Sequence, residues 1–233
     1  MIGAPTIVFD LDGTLVDTAP DLVATLNTIF ARKGLPPVEY ESARNMVGGG
    51  ARAMIERGLK AEGRNLADAE VDQLFRDFIA HYGAHIADRS RPFAGVEAAL
   101  DEFAHCGCHL AVCTNKLERL SIRLLDALGL SQRFVAICGQ DTFGVQKPDP
   151  EMLRRTIGRA GGRLDSAVMV GDSATDIDTA RAASIPVIGV DFGYSETPVA
   201  ALKPDRLVSR FADVPAAVFD LIGNRTGEFA RES

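Results

Sequence analysis

No apolar run in this 233-residue sequence reaches the ~20 residues of a membrane span. The N-terminal stretch also lacks the charged start and long apolar core of a secretory signal, so neither a membrane nor an exported location is expected. Basic residues are not in excess: 25 Lys and Arg stand against 32 Asp and Glu, for a formal net charge of −7. The acidic residues are spread along the chain, which argues against nucleic acid or an anionic membrane surface as a main partner. Cysteine is scarce, at four, and forms no Cys-x-x-Cys pair. Cys113 and Cys138 lie in apolar runs where a small buried thiol is the default. Cys106, Cys108 and His109 lack the second half of a zinc site, and His81 and His85 lack the glutamate of a zinc-protease helix. A reducing, cytoplasmic setting is expected. Internal repeats and low-complexity segments are missing too.

What is present begins with Asp10-Leu11-Asp12-Gly13-Thr14-Leu15, directly after the apolar run Thr6-Ile7-Val8-Phe9. That run reads as a buried strand, and side chains two apart at its end share a side, so Asp10 and Asp12 lie close. Two like charges held together repel, and a divalent cation with hard oxygen ligands, magnesium, relieves the repulsion. One carboxylate can then attack phosphorus while its neighbour handles protons. Three later segments extend the pattern. Ala111 to Asn115 is an apolar strand ending in a hydroxyl and an amide. Lys147 sits in a loop stiffened by Pro148 and Pro150. Val168 to Asp176 is a strand ending in Asp172, with Asp176 four residues on. Singly, these read as a helix cap, a loop charge and an acidic helix start. Together they place carboxylates, hydroxyl, amide and lysine at strand C-termini, the ligand-binding edge of open parallel sheets.

Between Val16 and Ser90 the periodicity is helical, with no convincing strand. Leu22, Leu26, Ile29 and Phe30 mark one helix, and Val71, Leu74, Phe75, Phe78, Ile79 and Tyr82 another. Arg91-Pro92-Phe93 reads as the return link. From Val96 on, helices and strands alternate, which implies a parallel sheet with helical crossovers. The expected elements are helices 96–105, 117–128, 150–160 and 176–183, alternating with strands 109–114, 134–138, 168–171 and 186–190. A short strand at Arg206 to Val208 and a helix from Val214 to Ile222 follow. The fold class is therefore α/β, a Rossmann-like parallel sheet core (1–15 and 91–233) with a small α-helical cap (16–90) inserted. Residues 224–233 read as a frayed polar tail.

These motifs resemble those of the haloacid dehalogenase superfamily of aspartate-nucleophile phosphohydrolases, in order and spacing, from about Ile7 to Val214. Phe9 to Leu22, Val47-Gly48-Gly49-Gly50-Ala51, Thr114-Asn115-Lys116 and Met169 to Ser173 are similar to phosphoglycolate phosphatases. The resemblance implies a magnesium-dependent phosphomonoesterase acting through an aspartyl-phosphate. In it Asp10 is the nucleophile and Asp12 the general acid and base. Thr114, Asn115 and Lys147 hold the phosphoryl oxygens. Magnesium is held by Asp10, Asp172 and the Asp12 carbonyl, with Asp176 orienting a metal ligand or a metal-bound water. The implied substrate is a small phosphorylated metabolite, 2-phosphoglycolate first among them, with the protein a monomer or homodimer.

Asp12 discriminates within the superfamily. Dehalogenases and phosphonate hydrolases lack an acid two residues after the nucleophile, so a phosphate ester is favoured here. A phosphatase or phosphomutase for another small phosphate (sugar phosphate, pyrophosphate, nucleotide) remains open. A receiver-type signalling domain fits poorly, because its acidic pair and phosphoacceptor follow different strands. Three departures from the family pattern are Gly49 for asparagine, Leu117 for proline and Ser184 for glycine. For the carboxylate of phosphoglycolate, the expected readers are Gly49 and Gly50 with the helix they open, Arg57 in that helix, and Lys116.

Overall fold

The first apolar run forms strand β1 (Thr6–Phe9), buried on both faces, which is the position of an interior strand. The computed structural model describes residues 4–229, and for 224–229 only the backbone. After β1 the chain makes a tight loop in which Gly13 adopts φ 90° and its N–H donates to the Val16 carbonyl at 3.0 Å. It leaves the sheet through β2 (Val16–Asp17), which pairs antiparallel with β3 (Arg91–Pro92) where it returns. This pair is the one strand feature inside the expected helical stretch. Two residues are too few to show alternation, and their partner lies far away in sequence.

Four helices lie between: α1 (Ala19–Arg32), α2 (Tyr40–Arg44), α3 (Ala51–Ala61) and α4 (Asp68–Ala84). Leu22, Leu26, Phe30, Met54, Phe78 and Tyr82 belong to one apolar cluster among them, separate from the clusters of the sheet. Gly58 allows α3 to sit on α1, since a Cβ there would meet the Phe30 ring at 3.0 Å. Buried Asp21 ties the two ends of the insertion together: its carboxylate accepts from the Ser90 N–H at 2.8 Å and the Ser90 hydroxyl at 2.7 Å.

Beyond the insertion the alternation runs α5 (Val96–His105), β4 (His109–Cys113), α6 (Glu118–Ala127), β5 (Ala136–Cys138), α7 (Pro150–Arg159), β6 (Ala167–Gly171), α8 (Ala174–Ala183), β7 (Val187–Val190), β8 (Arg206–Val208) and α9 (Val214–Phe229). The sheet is parallel throughout, in the order β5-β4-β1-β6-β7-β8. β1 therefore sits between β4 and β6, at the point where strand order reverses and a crevice opens beyond the carboxyl ends. Successive β1 residues feed opposite faces. Ile7 and Phe9 join the side bearing α5 and α9, where Phe9 contacts Phe103, Phe134 and Phe211, and Val8 joins the side bearing α7 and α8. The expected fold class holds. Helix α9 continues to Phe229, because extending a nucleated helix adds a hydrogen bond for each residue fixed. Residues 230–233 lie outside the described residues.

Candidate active site

Asp10 follows β1, Thr114 follows β4 and Asp172 follows β6, so three neighbouring strands deliver them to one edge. The Asp10 N–H continues the ladder to the Val170 carbonyl at 2.9 Å, which fixes the backbone beside Asp172. Asp172 is held from two sides. Its carboxylate accepts from the Thr14 hydroxyl at 2.8 Å and from the Tyr194 N–H at 2.8 Å. Glycines make this approach possible, because a Cβ at Gly13 or Gly193 would lie 2.4 or 2.3 Å from Asp172 atoms. Asp176 stands in the first turn of α8, in a reciprocal cap with Ser173. The Asp176 carboxylate accepts from the Ser173 hydroxyl at 2.6 Å and the Ser173 N–H at 3.1 Å.

Lys147 is buried between carboxylates, its Nζ 2.8 Å from Asp10 Oδ1 and 2.6 Å from Asp176 Oδ1. Burial works against its charge, but Asp10 and Asp176 outweigh burial and hold the ammonium above the ordinary lysine range. One carboxylate oxygen from each of Asp10, Asp172 and Asp176 lies within 4.8 Å of the other two. Three buried carboxylates against one ammonium leave an excess of negative charge. Burial accordingly pushes Asp172 up to about 8, aided by Asp176 and Asp10, and Asp10 up to about 6 against the pull of Lys147. The donors are hard oxygens, and the Asp12 carbonyl accepts no hydrogen bond among the described residues. This donor set fits a divalent cation such as magnesium.

The remaining expected residues divide. Asp12 does not bring its carboxylate to the acidic cluster: both its oxygens accept from Lys116 Nζ at 2.9 Å, so only its carbonyl is left as a metal donor. Thr114 accepts the Lys116 N–H at 3.2 Å, which leaves its hydroxyl proton for a ligand. Asn115 lines the cavity and also serves the lysine loop. Its amide donates to the Lys147 carbonyl at 3.0 Å and accepts the Lys147 N–H at 2.9 Å, so it positions the lysine loop. The Lys147–Pro148 peptide in that loop is cis.

Asp10, Asp12, Thr114 and Lys116 line a cavity of about 40 Å³ whose other wall comes from the insertion, including Gly50, Ala51, Met54, Phe78 and Tyr82. At ~10–15 Å³ for each water, it has room for about three waters, which suits a small ligand. Gly50, at φ 87°, starts α3 close to the Asn115 carbonyl, which a Cβ would meet at 3.1 Å. Gly49 and Arg57 are not brought to this cavity. Exposed Arg57 turns back to donate to the Met46 carbonyl at 3.1 Å, and Gly49 lies against it, so Gly48 and Gly50 are the glycines that line the wall. Sequence reasoning missed Thr14, Tyr82, Tyr194 and Gln140, which also lines the cavity. Thr14 was within reach through the motif, whereas the two tyrosines carry no signal beyond ordinary core residues.

Comparison with known proteins decides the family. The profile of the haloacid dehalogenase-like hydrolases matches residues 7–190. The chain belongs to this family. It is 51% identical over 207 residues to a protein of Mesorhizobium japonicum named phosphoglycolate phosphatase, covering 89% of this chain and 91% of that one. A Caulobacter vibrioides protein of the same name is 47% identical, with 95% and 93% covered. A crystal structure from Haemophilus somnus, described as a predicted phosphoglycolate phosphatase, superposes with a TM-score of 0.85 at 31% identity and covers 91% of this chain and 96% of its own. This haloacid dehalogenase-like protein is thus an enzyme, a phosphoric monoester hydrolase. No helix among its described residues is long and apolar enough to cross a membrane.

Proposed function

We propose that this hydrolase is a magnesium-dependent phosphatase that converts 2-phosphoglycolate to glycolate and phosphate through a phosphoryl group carried on Asp10. The observation that supports this most is the buried acidic cluster around Lys147 beside so small a cavity. Of the candidate substrates, a two-carbon phosphate asks for far less room here than a hexose phosphate or a nucleotide.

Asp10 Oδ1 is held by Lys147, and Oδ2 has no partner among the described residues, so Oδ2 is the attacking oxygen. It forms the new bond to phosphorus as the bond from phosphorus to the glycolate oxygen breaks. Asp12 gives its proton to that leaving oxygen. It then takes one from the water that attacks phosphorus and frees Asp10. Lys147 and the Thr114 hydroxyl neutralise charge gathering on the equatorial oxygens. Asn115 and Asp176 position Lys147 through the bonds described above. Magnesium held by Asp10, Asp172 and the Asp12 carbonyl would offset the charge of carboxylates and phosphoryl group as they meet. Free cysteines, three of the four buried, suit a cytoplasmic setting for this enzyme.

The test is a phosphate-release screen over small phosphate esters, with magnesium and with excess chelator. The expected result is steady turnover, highest kcat/KM on 2-phosphoglycolate, and none in chelator. Preference for a hexose phosphate, or a single stoichiometric phosphorylation without release, would overturn the reading.

A further inference from the structure

Among the described residues, five buried side-chain polar atoms lack a hydrogen-bond partner: Thr6 Oγ1, Thr18 Oγ1, the Tyr82 hydroxyl, His109 Nδ1 and Ser166 Oγ. Only Tyr82 also lines the catalytic cavity. An unpaired buried hydroxyl is unfavourable, and one placed at a ligand site points to a ligand that pairs with it. Tyr82 is 1% exposed and stands near the end of α4, on the wall facing the catalytic edge. The Lys116 ammonium lies 4.6 Å from its ring centroid and directs two N–H groups to Asp12, leaving a third. The eleven-residue helix α3 starts at the same cavity with no side-chain cap, so its first-turn amides are open to an acceptor.

We propose that the Tyr82 hydroxyl, the remaining N–H of Lys116 and the uncapped first turn of α3 form the subsite for a carboxylate at the far end of the substrate. The proposal rests on the phosphoglycolate reading and names the residues that select for it. Three donors converge there, and a carboxylate is an acceptor-only group. Lys116 is already matched by Asp12, so the added negative charge relies on the hydroxyl and the helix amides as well. Burial pushes the Tyr82 phenol up to about 12, against the pull of Lys116, so it remains a donor throughout the working range. A substrate with a neutral tail leaves the hydroxyl unpaired, and sites of this kind reject such analogues strongly.

The experiment compares wild type with Tyr82→Phe on 2-phosphoglycolate and on ethyl phosphate, whose tail is of similar length but neutral, together with thermal melts. Phenylalanine keeps the ring under Lys116 and removes only the hydroxyl. The ratio of kcat/KM between the two substrates should fall about ten- to hundredfold, mainly through KM for phosphoglycolate. The melting temperature should hold or rise, because an unpaired buried polar group is removed. An unchanged ratio, in a variant whose wild-type parent does prefer phosphoglycolate, would overturn the subsite and leave the substrate reading standing. Equal losses on both substrates with a lower melting temperature would show a structural role and also overturn it. A wild type with no preference for phosphoglycolate over ethyl phosphate would overturn the substrate reading, and the subsite with it.

Discussion

Replacing Lys147 by methionine preserves the length of the side chain and removes the only ammonium among Asp10, Asp172 and Asp176. The lysine side chain is 2% exposed, with carboxylate oxygens at 2.8 and 2.6 Å. Removing one partner of a buried ion pair costs about 3–5 kcal/mol, because the charges left behind are uncompensated. For a domain of this size that corresponds to a loss of about 6–20 °C in melting temperature. The loss depends on pH, and its sign follows from the carboxylates. Burial already raises Asp10 to about 6 and Asp172 to about 8, above their ordinary value of 3.8. Groups raised in this way bind more protons folded than unfolded, so stability is fully present below about 4 and falls as pH climbs toward 8. Without Lys147 the rise is larger, and the variant should lag wild type little at pH 5 and most at pH 8. Thermal melts in excess chelator at both pH values measure this, and phosphate release should fall about 10²–10³-fold in parallel. A melting difference that is absent at pH 8, or equal at pH 5 and pH 8, would refute the reasoning.

Asp10→Asn keeps the shape but not the attacking charge, and turnover should drop on the order of 10⁴–10⁶-fold in a phosphate-release assay while the fold persists by circular dichroism. Magnesium should raise the melting temperature more at pH 8 than at pH 5.5, since Asp172 titrates at about 8 and binding displaces its proton; an equal shift at both would contradict the assignment of Asp172. Gly193→Ala places a Cβ 2.3 Å from Asp172 and should weaken magnesium affinity about 10–100-fold in a metal titration of turnover. Tyr194→Phe removes the hydroxyl that accepts the Ala19 N–H at 3.1 Å and donates to Asp17, at a cost of about 1–3 kcal/mol in chemical denaturation.

The strand ends were the most legible part of the molecule. Asp10, Thr114 and Asp172 each follow an uninterrupted apolar run, and a parallel sheet has no choice but to bring such ends to one edge. Lys147 was legible by its place in the motif order, but its grip on both Asp10 and Asp176 depends on how Asn115 pins its backbone, a pairing across 32 residues. The directions of helix side chains were not legible. Arg57 could have reached the cavity on spacing alone, and it turns instead to the Met46 carbonyl. Tyr82 fits the apolar stripe of its helix, and nothing in that pattern tells a core ring from one whose hydroxyl faces a ligand. Ser184 closes α8 at φ 62°, which gives the physical reason that glycine suits this position.

The central claim is that Asp10 carries the phosphoryl group. The most direct measurement is acid quench of the enzyme turning over 2-phosphoglycolate with magnesium, followed by peptide mass spectrometry. The account predicts a phosphoryl mass increment on the peptide containing Asp10, present during turnover and missing in Asp10→Asn. Steady phosphate release with no increment on Asp10 at any quench time, or an increment that persists in Asp10→Asn, would contradict it.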